Sequence, residues 1–470
     1  MRAGCGKTPR EKVNVAMNGA FFGDLLQTIS DRGRKLLTRR TNAVTRSADF
    51  VVLCEDLLSG RGEASGVALA REILNRYAAL TIGPRTAFFE ALAQQFGPDQ
   101  ARMEKAIAAW QANPNDMTAG EVHQAAEPRR QELFRRLNLA PGGTAALVRM
   151  REQLLDAMAH RRDLAVVDAD FVHLFSSWFN RGFLVLRDID WSTPANILEK
   201  IIKHEAVHKI RSWDDLRRRI DPDDRCCFAF FHPALIDEPL IFVEVALTAD
   251  MPGSIAPILS ASRPILDANQ VDTATFYSIS NCQRGLAGVS FGNFLIKQVV
   301  EEISKVNPRL KTFVTLSPVP GFASWLKRER QSDSSRALTQ DDLNALANLD
   351  IEGWWQVAET REPVEEPLKR AAAWYFMHAR NARGLPADPV ARFHLGNGAR
   401  LEKIHFLADS SENGMHQSYG VMVNYLYDLD DIEKNHEAFA ETRTVVTSNA
   451  VKKLARPGPT GDLIPVSNKA

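Results

Sequence analysis

Residues 275–303 read TFYSISNCQRGLAGVSFGNFLIKQVVEEI, and this stretch decides the fold class. Its first residues, Thr275–Ser280, are rich in β-branched and aromatic side chains and predict a strand. The glycine-bearing segment Asn281–Gly292 predicts a loop, and an amphipathic pattern predicts a helix from Asn293. A strand, a loop and a helix in this order are typical of a mixed α/β or α+β domain with a central sheet.

Other segments after residue 174 continue this alternation of strands and helices. A helix is predicted from Ala195, because Thr193 offers an N-cap and Pro194 suits the first helical position. Residues 328–346 and 361–368 are charged, polar or interrupted by proline, so they predict surface insertions. Apolar runs predict four more strands, the second and third of which form a hairpin. These strands are Phe183–Ile189, Cys226–Phe231, Leu240–Leu247 and Thr312–Leu316.

The first part of the chain, up to about residue 170, shows helical periodicity throughout. Apolar residues recur every three to four positions, for example from Leu69 to Tyr77. We therefore predict an α+β protein with an all-helical domain over residues 1–172, which serves as a scaffold or oligomer contact. A mixed α/β catalytic domain is predicted over residues 173–470, with a flexible tail from about residue 452.

The composition excludes several classes of protein. The chain has 470 residues, of which 45% are hydrophobic and 25% charged, as in ordinary globular proteins. Lys+Arg and Asp+Glu are both 58, whereas nucleic-acid binders usually carry a basic excess. The apolar runs are far shorter than the ~18 residues of a membrane span. The five cysteines form no C-x-x-C pair, which favours reduced thiols. We predict a cytoplasmic protein that binds neither nucleic acid nor membranes.

Two short motifs resemble ligand-binding patterns without their usual context. Gly4-Cys-Gly-Lys-Thr8 is similar to the end of a P-loop, but Met1 occupies the position of the first glycine. His204-Glu-Ala-Val-His208 matches H-E-x-x-H, which on a helix would place two imidazoles around zinc with Glu205 as base. No helix with a third ligand follows, so we interpret the motif as a polar helix end and predict no metal site. Zinc binding is the alternative.

The glycine-bearing loop fits two kinds of chemistry. Gly288-Val-Ser290-Phe-Gly292 matches the G-x-S-x-G nucleophile elbow, but residues 281–287 separate it from the strand that an elbow follows directly. The same loop offers backbone N–H groups and a helix N-terminus to a pyrophosphate, with Arg284 as a charged partner. A glycine turn without a ligand is the alternative. The substrate-binding residues predicted in this loop are Arg284, Gly285, Gly288, Ser290, Gly292 and Asn293.

Several blocks of sequence after residue 174 form a recognisable set. The most specific are Ser317-Pro-Val-Pro-Gly-Phe322 and Phe393-His-Leu-Gly-Asn-Gly-Ala399. Others are Leu174–Phe179, Phe228–Phe231, Tyr277–Ser280, Gly292–Lys297 and Val423–Tyr427. With these blocks the chain closely resembles the malonyl-CoA decarboxylase family. The resemblance implies a helical domain joined to a GNAT (acetyltransferase)-like domain, and a carboxy-lyase that converts malonyl-CoA to acetyl-CoA and CO₂ with no metal or organic cofactor.

The chemistry so implied makes specific demands on the site. Loss of CO₂ from a malonyl thioester leaves an enolate, which needs hydrogen-bond donors at its oxygen and an acid for its carbon. The resemblance places Ser317 beside His394, and we predict that Ser317 orients the malonyl group. We predict His394 as the proton donor, because an ordinary imidazole pKa near 6.5 makes both protonation states accessible. A turn-capping Ser317 and a structural His394 are the alternatives.

Two further positions match the family's active site. Tyr427 is predicted to be catalytic, with simple packing as the alternative, and Ser278 is predicted to bind substrate. Ser290 departs from the family, in which an acidic residue occupies this position. The expected ligands are malonyl-CoA and acetyl-CoA, and a homo-oligomer, dimer or tetramer, is expected. An acyl-CoA-dependent acyltransferase and a non-catalytic malonyl-CoA sensor are the alternative functions, since a fold does not settle a reaction.

Overall fold

The N-terminal region of the fold is a bundle of helices. The structure is a computed structural model that describes residues 47–59, 62–289, 295–332 and 334–455. Within these ranges an all-helical N-terminal region precedes a mixed sheet domain, which confirms the predicted α+β class. The N-terminal helices are α1 (Ser47–Leu58), α2 (Glu63–Ala78), α3 (Ile82–Gln95), α4 (Gln100–Ala112), α5 (Asp116–Ala126), α6 (Arg129–Asn138), α7 (Gly143–Met158) and α8 (Ala165–Trp178).

Apolar stripes and one buried polar cluster hold the helical region together. Leu69, Ile73 and Tyr77 are buried on α2, as their spacing predicts. Asp170 on α8 accepts hydrogen bonds from Arg130 and Gln131 on α6, and all three side chains are buried. A buried charge needs such partners, so this cluster specifies how α6 lies against α8. The predicted domain boundary at residue 172 falls inside α8, and the first strand begins at residue 185.

The C-terminal region of the fold is built on one eight-stranded sheet. The strands are β1 (Val185–Asp188), β2 (Arg225–Phe231), β3 (Pro239–Thr248), β4 (Thr273–Asn281), β5 (Thr312–Thr315), β6 (Ser317–Pro318), β7 (Arg400–His405) and β8 (Met422–Leu426). Their order in the sheet is β1-β2-β3-β4-β5-β8-β6, with β7 paired to β8, and β4 and β5 form its one parallel pair among the described residues. The predicted hairpin is β2 and β3, which pair antiparallel.

The parallel pair opens at one end. β4 pairs with β5 only as far as Phe276, opposite Thr315. The last bond between these segments runs from the Leu316 N–H to the Phe276 carbonyl, over 2.9 Å. β4 then continues to Asn281, while the segment after β5 passes into β6, which pairs with β8 and not with β4. The two strands therefore separate where β6 begins, at Ser317.

Helices pack against the sheet, and the buried side chains between helices and strands form apolar clusters. Helix α9 (Ala195–His204) begins at the predicted residue, but Thr193 does not cap it, because its hydroxyl accepts a hydrogen bond from the Asp190 N–H over 3.0 Å. The helix predicted from Asn293 is described from Leu295 onward. These helices are α9 (Ala195–His204), α10 (Trp213–Ile220), α11 (Ala256–Leu259), α12 (Leu295–Val306), α13 (Phe322–Arg330), α14 (Gln340–Leu346), α15 (Ala358–His378), α16 (Pro389–Gly396), α17 (Glu412–Ser418), α18 (Ile432–Thr442) and α19 (Asn449–Leu454).

The prediction of a surface insertion at residues 361–368 is wrong. These residues lie within α15, which continues through Pro363 and Pro367. Val364 and Leu368 are completely buried on its apolar face. Each proline removes one backbone donor, but burial of this face offsets the loss, so tertiary packing overrides local propensity.

The other predicted surface insertion and the start of the predicted flexible tail also contain helices. Residues 328–346 include the end of α13 and all of α14, which begins with a capping box at Thr339 and buries Leu346. Residues 452–454, where the flexible tail was predicted to begin, belong to α19, and residues 456–470 lie outside the described part. Within the described ranges, no helix combines the length and apolar character needed to cross a membrane.

Candidate active site

Three side chains predicted to be catalytic meet at the opening of the sheet. The Ser317 Oγ lies 3.2 Å from Nε2 of His394, and Nδ1 of the same ring lies 2.7 Å from the Tyr427 hydroxyl. Their exposed fractions are 5%, 3% and 2%. The structure therefore brings these residues into one buried hydrogen-bonded chain.

Local sequence explains how each of the three is presented. Ser317 is the first residue of β6, and Tyr427 follows the last residue of β8. His394 lies in the last turn of α16, a helix that Asp388 caps by accepting the Ala391 N–H over 2.8 Å. Pro389 at the first helical position adds a fixed φ to that cap. Strand ends and a capped helix are rigid supports, so the three groups are held in place before any ligand arrives.

The hydrogen bonds in this chain have one direction. The Ser317 hydroxyl donates to Oγ1 of Thr315 over 2.8 Å, and a hydroxyl has only one proton to give. Nε2 of His394 must then carry a proton and donate to Ser317. In a neutral imidazole the other nitrogen is an acceptor, so Nδ1 receives the Tyr427 proton. The direction is thus from Tyr427 to His394, to Ser317 and finally to Thr315.

Thr315, the last acceptor in this hydrogen-bonded chain, was not predicted from the sequence. It is completely buried, and its hydroxyl also accepts the backbone N–H of Tyr425 over 3.1 Å. The only signal in the sequence is its position two residues before Ser317, which in extended chain places both side chains on the same face.

Burial determines the charge states of the site. It lowers the pKa of His394 to about 3, and it raises the pKa of Tyr427 well above that of an ordinary phenol. Both groups are therefore neutral near pH 7, which agrees with the direction of the hydrogen bonds. Our expectation that both protonation states of His394 are accessible is wrong, because desolvation excludes the imidazolium.

A cleft of about 680 Å³ borders α16. Phe393 of this helix and Asn397, which directly follows it, line the cleft, while the neighbouring His394 belongs to the buried hydrogen-bonded chain. The opposite wall includes Arg284 and Gly288 of the glycine-bearing loop. Helix α16 therefore contributes to both the cleft and the hydrogen-bonded chain.

The structure gives the predicted loop residues different places. Arg284 is 54% exposed in its side chain and pairs with Glu152 and Asp156 of α7, at 3.2 and 2.7 Å. A Cβ added at Gly285 would lie 2.0 Å from the Val148 carbonyl oxygen, so helix packing requires this glycine. Gly288 lines the cleft with φ +77°, a conformation that favours glycine.

The remaining loop residues cannot be placed in this way. Ser290, Gly292 and Asn293 lie outside the described residues, as does the Gly4–Thr8 motif. The strand before the G-x-S-x-G motif ends at Asn281, and a short 3-10 turn, Arg284–Leu286, intervenes. The strand-to-glycine connection of a nucleophile elbow is therefore absent from this described segment.

Ser278 belongs to a cluster around Glu205. Its hydroxyl donates to Oε2 of Glu205 over 2.7 Å, and the other carboxylate oxygen accepts the N–H groups of Val207 and His208. Burial raises the pKa of Glu205. Helix α9 ends at His204, so the H-E-x-x-H residues do not share a helical face as a zinc site would require. Among the described residues, no cluster of three or more His, Cys, Asp or Glu could hold a metal ion.

Two family models match nearly all of the chain after residue 95. The model described as "Malonyl-CoA decarboxylase C-terminal domain" matches residues 182–462. The model described as "Malonyl-CoA decarboxylase N-terminal domain" matches residues 96–179. Together they cover the sheet domain and much of the helical region.

Individual proteins of the same name are similar over most of their length. The mitochondrial malonyl-CoA decarboxylase of Anser anser anser is 36% identical over 418 residues, which are 81% of this chain and 82% of that protein. The crystal structure of malonyl-CoA decarboxylase from Rhodopseudomonas palustris is 58% identical with a TM-score of 0.85, and covers 87% of this chain and 100% of that one. The enzyme from Agrobacterium vitis is 56% identical with a TM-score of 0.83, and covers 87% and 100%. On this agreement of sequence and fold, the chain belongs to the malonyl-CoA decarboxylase family.

Proposed function

We propose that this protein decarboxylates malonyl-CoA to acetyl-CoA and CO₂, with Ser317, His394 and Tyr427 as the catalytic residues. Membership of the family supports the overall reaction. The observation that carries the residue assignment is the directional hydrogen-bonded chain at the opening of the sheet. It offers a hydroxyl and a proton donor in a dry site, which are what an enolate requires.

The cleft beside α16 is the proposed site for the CoA portion of the substrate. Its volume of about 680 Å³ suits part of a cofactor-sized ligand. Arg284 and Gly288 are proposed to contact the substrate directly, because both line the cleft. Gly285 and Ser278 are proposed to act through the walls they support, since one packs on α7 and the other bonds to Glu205. Ser290, Gly292 and Asn293 keep their proposed binding roles as part of the same loop.

The proposed reaction begins with cleavage of the bond between Cα and the carboxylate. The electron pair of that bond passes into the thioester to form the enolate, and CO₂ leaves. When the substrate binds, the Ser317 hydroxyl turns from Thr315 to the malonyl group, donates a hydrogen bond to it and fixes its orientation. We assign Ser317 a non-covalent role, because Nε2 of His394 is the donor in their hydrogen bond and so cannot act as the base that a serine nucleophile needs.

Protonation of the enolate completes the reaction. Cα takes the Ser317 proton, Ser317 takes the proton from Nε2 of His394, and Nδ1 takes the phenolic proton of Tyr427. One C–H bond forms and one phenolic O–H bond is lost. Water then returns a proton to the phenolate and leaves hydroxide, which carries the negative charge of the original carboxylate. A neutral imidazole can deliver its proton here only because Tyr427 replaces it on the other nitrogen.

One assay tests the reaction. Purified protein is incubated with malonyl-CoA and EDTA, and acetyl-CoA and CO₂ are followed over time. Product without an added acceptor is the expected result. Dependence on an acyl acceptor would indicate an acyltransferase, binding without turnover would indicate a sensor, and inhibition by EDTA would restore the zinc interpretation of His204 and His208.

Two substitutions test the catalytic residues. Ser317→Ala and His394→Asn should each lower kcat by ~10²-fold or more, the range expected for positioned donors and acids. Circular dichroism and thermal unfolding serve as controls for the fold. Wild-type kcat in either folded variant would contradict the assignment.

Three expectations about the whole protein stay predictions. Residues 1–172 and 173–470 are proposed as the helical and catalytic domains, and the protein is proposed to form a homo-oligomer. Light scattering would give the oligomeric state. A cytoplasmic location is also proposed, and fractionation of the source cells would test it.

A further inference from the structure

We propose that the helical N-terminal region holds the cleft-lining loop in its substrate-binding position, and that Arg151 of α7 is the positioning residue. This inference rests on the proposed function in one respect, the identification of the cleft as the CoA site. It assigns the helical region a part in substrate affinity beyond that of a scaffold or oligomer contact.

The buried Arg151 guanidinium joins two parts of the molecule. Its side chain is only 3% exposed. Nη1 donates to the Gly285 carbonyl oxygen over 2.8 Å, and Nε donates to Oδ1 of Asp168 on α8 over 2.7 Å. Asp168 compensates the charge and orients the guanidinium, so the loop is attached to the core of the helical region through one rigid, charge-assisted group.

Close packing at Gly285 makes this attachment specific. The position of its missing Cβ is 2.0 Å from the Val148 carbonyl oxygen and 2.9 Å from the Val148 side chain. Backbone therefore lies directly on backbone, and no other residue type fits without a shift of the loop or of α7. Arg284 adds ion pairs with Glu152 and Asp156, but these are exposed and secondary.

The attached loop is a wall of the cleft. Leu286, Gly288 and Val289, which follow Gly285, all line it, and Glu152 of α7 lines it as well. The cleft thus takes wall residues from both regions of the chain. Ser317 and His394 are held by β6 and α16 instead. Loss of the attachment should therefore weaken binding while leaving the proton-transfer chain intact.

The direct test is Arg151→Met, which keeps the length of the side chain but removes its hydrogen bonds. We expect KM for malonyl-CoA to rise about tenfold with kcat within about twofold, as for the loss of a buried charge-assisted contact that supports binding. Arg149→Met is the matched control, because Arg149 is exposed on the same helix, and its KM should equal that of the wild type. Calorimetric titration with acetyl-CoA should show the same tenfold change in Kd without any turnover.

A purely structural role predicts a different result. If folded Arg151→Met unfolds at a lower temperature but keeps wild-type KM and Kd, the inference is overturned. Should Arg151→Met not fold, Asp168→Asn decides: a KM rise of about threefold supports the inference and an unchanged KM contradicts it. Failure of the proposed function is separate, because wild-type protein would then not release CO₂ from malonyl-CoA, while the effect on acetyl-CoA binding could still be measured.

Discussion

Removal of the Tyr427 hydroxyl is the sharpest test of the proton-transfer chain. Tyr427→Phe deletes one oxygen and keeps a ring that is 2% exposed, so the packing around it should be retained. The substitution removes the 2.7 Å hydrogen bond to Nδ1 of His394. Any large effect on catalysis would then come from the hydroxyl.

The structure sets the expected magnitudes. A buried acceptor that loses its donor costs about 1–3 kcal/mol, so Tyr427→Phe should lower stability by an amount in that range. Without Tyr427, Nδ1 has no incoming proton, and the neutral His394 cannot give up the proton on Nε2. We expect kcat to fall by ~10²-fold or more, the usual contribution of a positioned acid. KM should change less than about threefold, since Tyr427 does not line the cleft.

The assay compares kcat in H₂O and D₂O between pH 5 and 8. Wild type should show a solvent isotope effect that reflects more than one moving proton, and kcat should not follow an ionisation near pH 6.5, because burial lowers the pKa of His394 to about 3. Tyr425→Phe is the matched control: the Tyr425 ring stacks on His394 with centroids 4.6 Å apart, and its buried hydroxyl finds no hydrogen-bond partner among the described residues. Wild-type kcat in Tyr427→Phe, or equal losses in both variants, would refute the proposed direction of proton transfer.

Two further predictions concern Thr315 and Glu244. Thr315→Val should lower kcat about tenfold and reduce the unfolding temperature, because the Ser317 hydroxyl and the Tyr425 N–H both lose their acceptor. Steady-state kinetics and thermal unfolding measure these two effects. An unchanged kcat would contradict a positioning role for Thr315. Glu244 lies on β3, is completely buried and accepts a hydrogen bond from Arg219 over 3.2 Å. Burial raises its pKa to about 8, so the native protein keeps a proton that the unfolded chain releases above about pH 4.5, and native stability falls as pH rises through that window. Glu244→Gln should therefore raise the unfolding temperature more at pH 8 than at pH 5, and an equal shift at both pH values would argue against this ionisation.

Much of the architecture could be predicted because it depends on local patterns. The β2–β3 hairpin has strongly apolar strands on either side of a short loop, and α9 begins at the residue that follows the Thr193-Pro194 signal. α15 could not be predicted, because Pro363 and Pro367 weaken its local propensity and only burial against the rest of the domain compensates. Local rules succeed where tertiary contacts agree with them and fail where such contacts override them.

In the candidate site, too, some features could be predicted from the sequence and others could not. Its residues could be named from motifs and family resemblance, but Thr315 has no motif and was missed. Arg284 could be taken as a phosphate partner because it lies in a glycine-bearing loop directly before Gly285, whereas its ion pairs come from residues 128 and 132 positions away. Gly285 could be taken as a phosphate-binding glycine, whereas the structure explains it by contact with Val148.

By itself, the sequence determined the class of the fold, the order of its first five strands, and the blocks that identify the family. These depend on side-chain periodicity, caps and turns within a few residues of one another. Only the tertiary structure decided the direction of the chain from Tyr427 to Ser317, the neutral state of His394 and the attachment of Gly285 to Arg151. The bonded pairs His394–Tyr427, Ser317–His394 and Arg151–Gly285 are 33, 77 and 134 positions apart in the sequence. A pKa or a hydrogen-bond direction depends on which distant groups pack around the site and remove water from it.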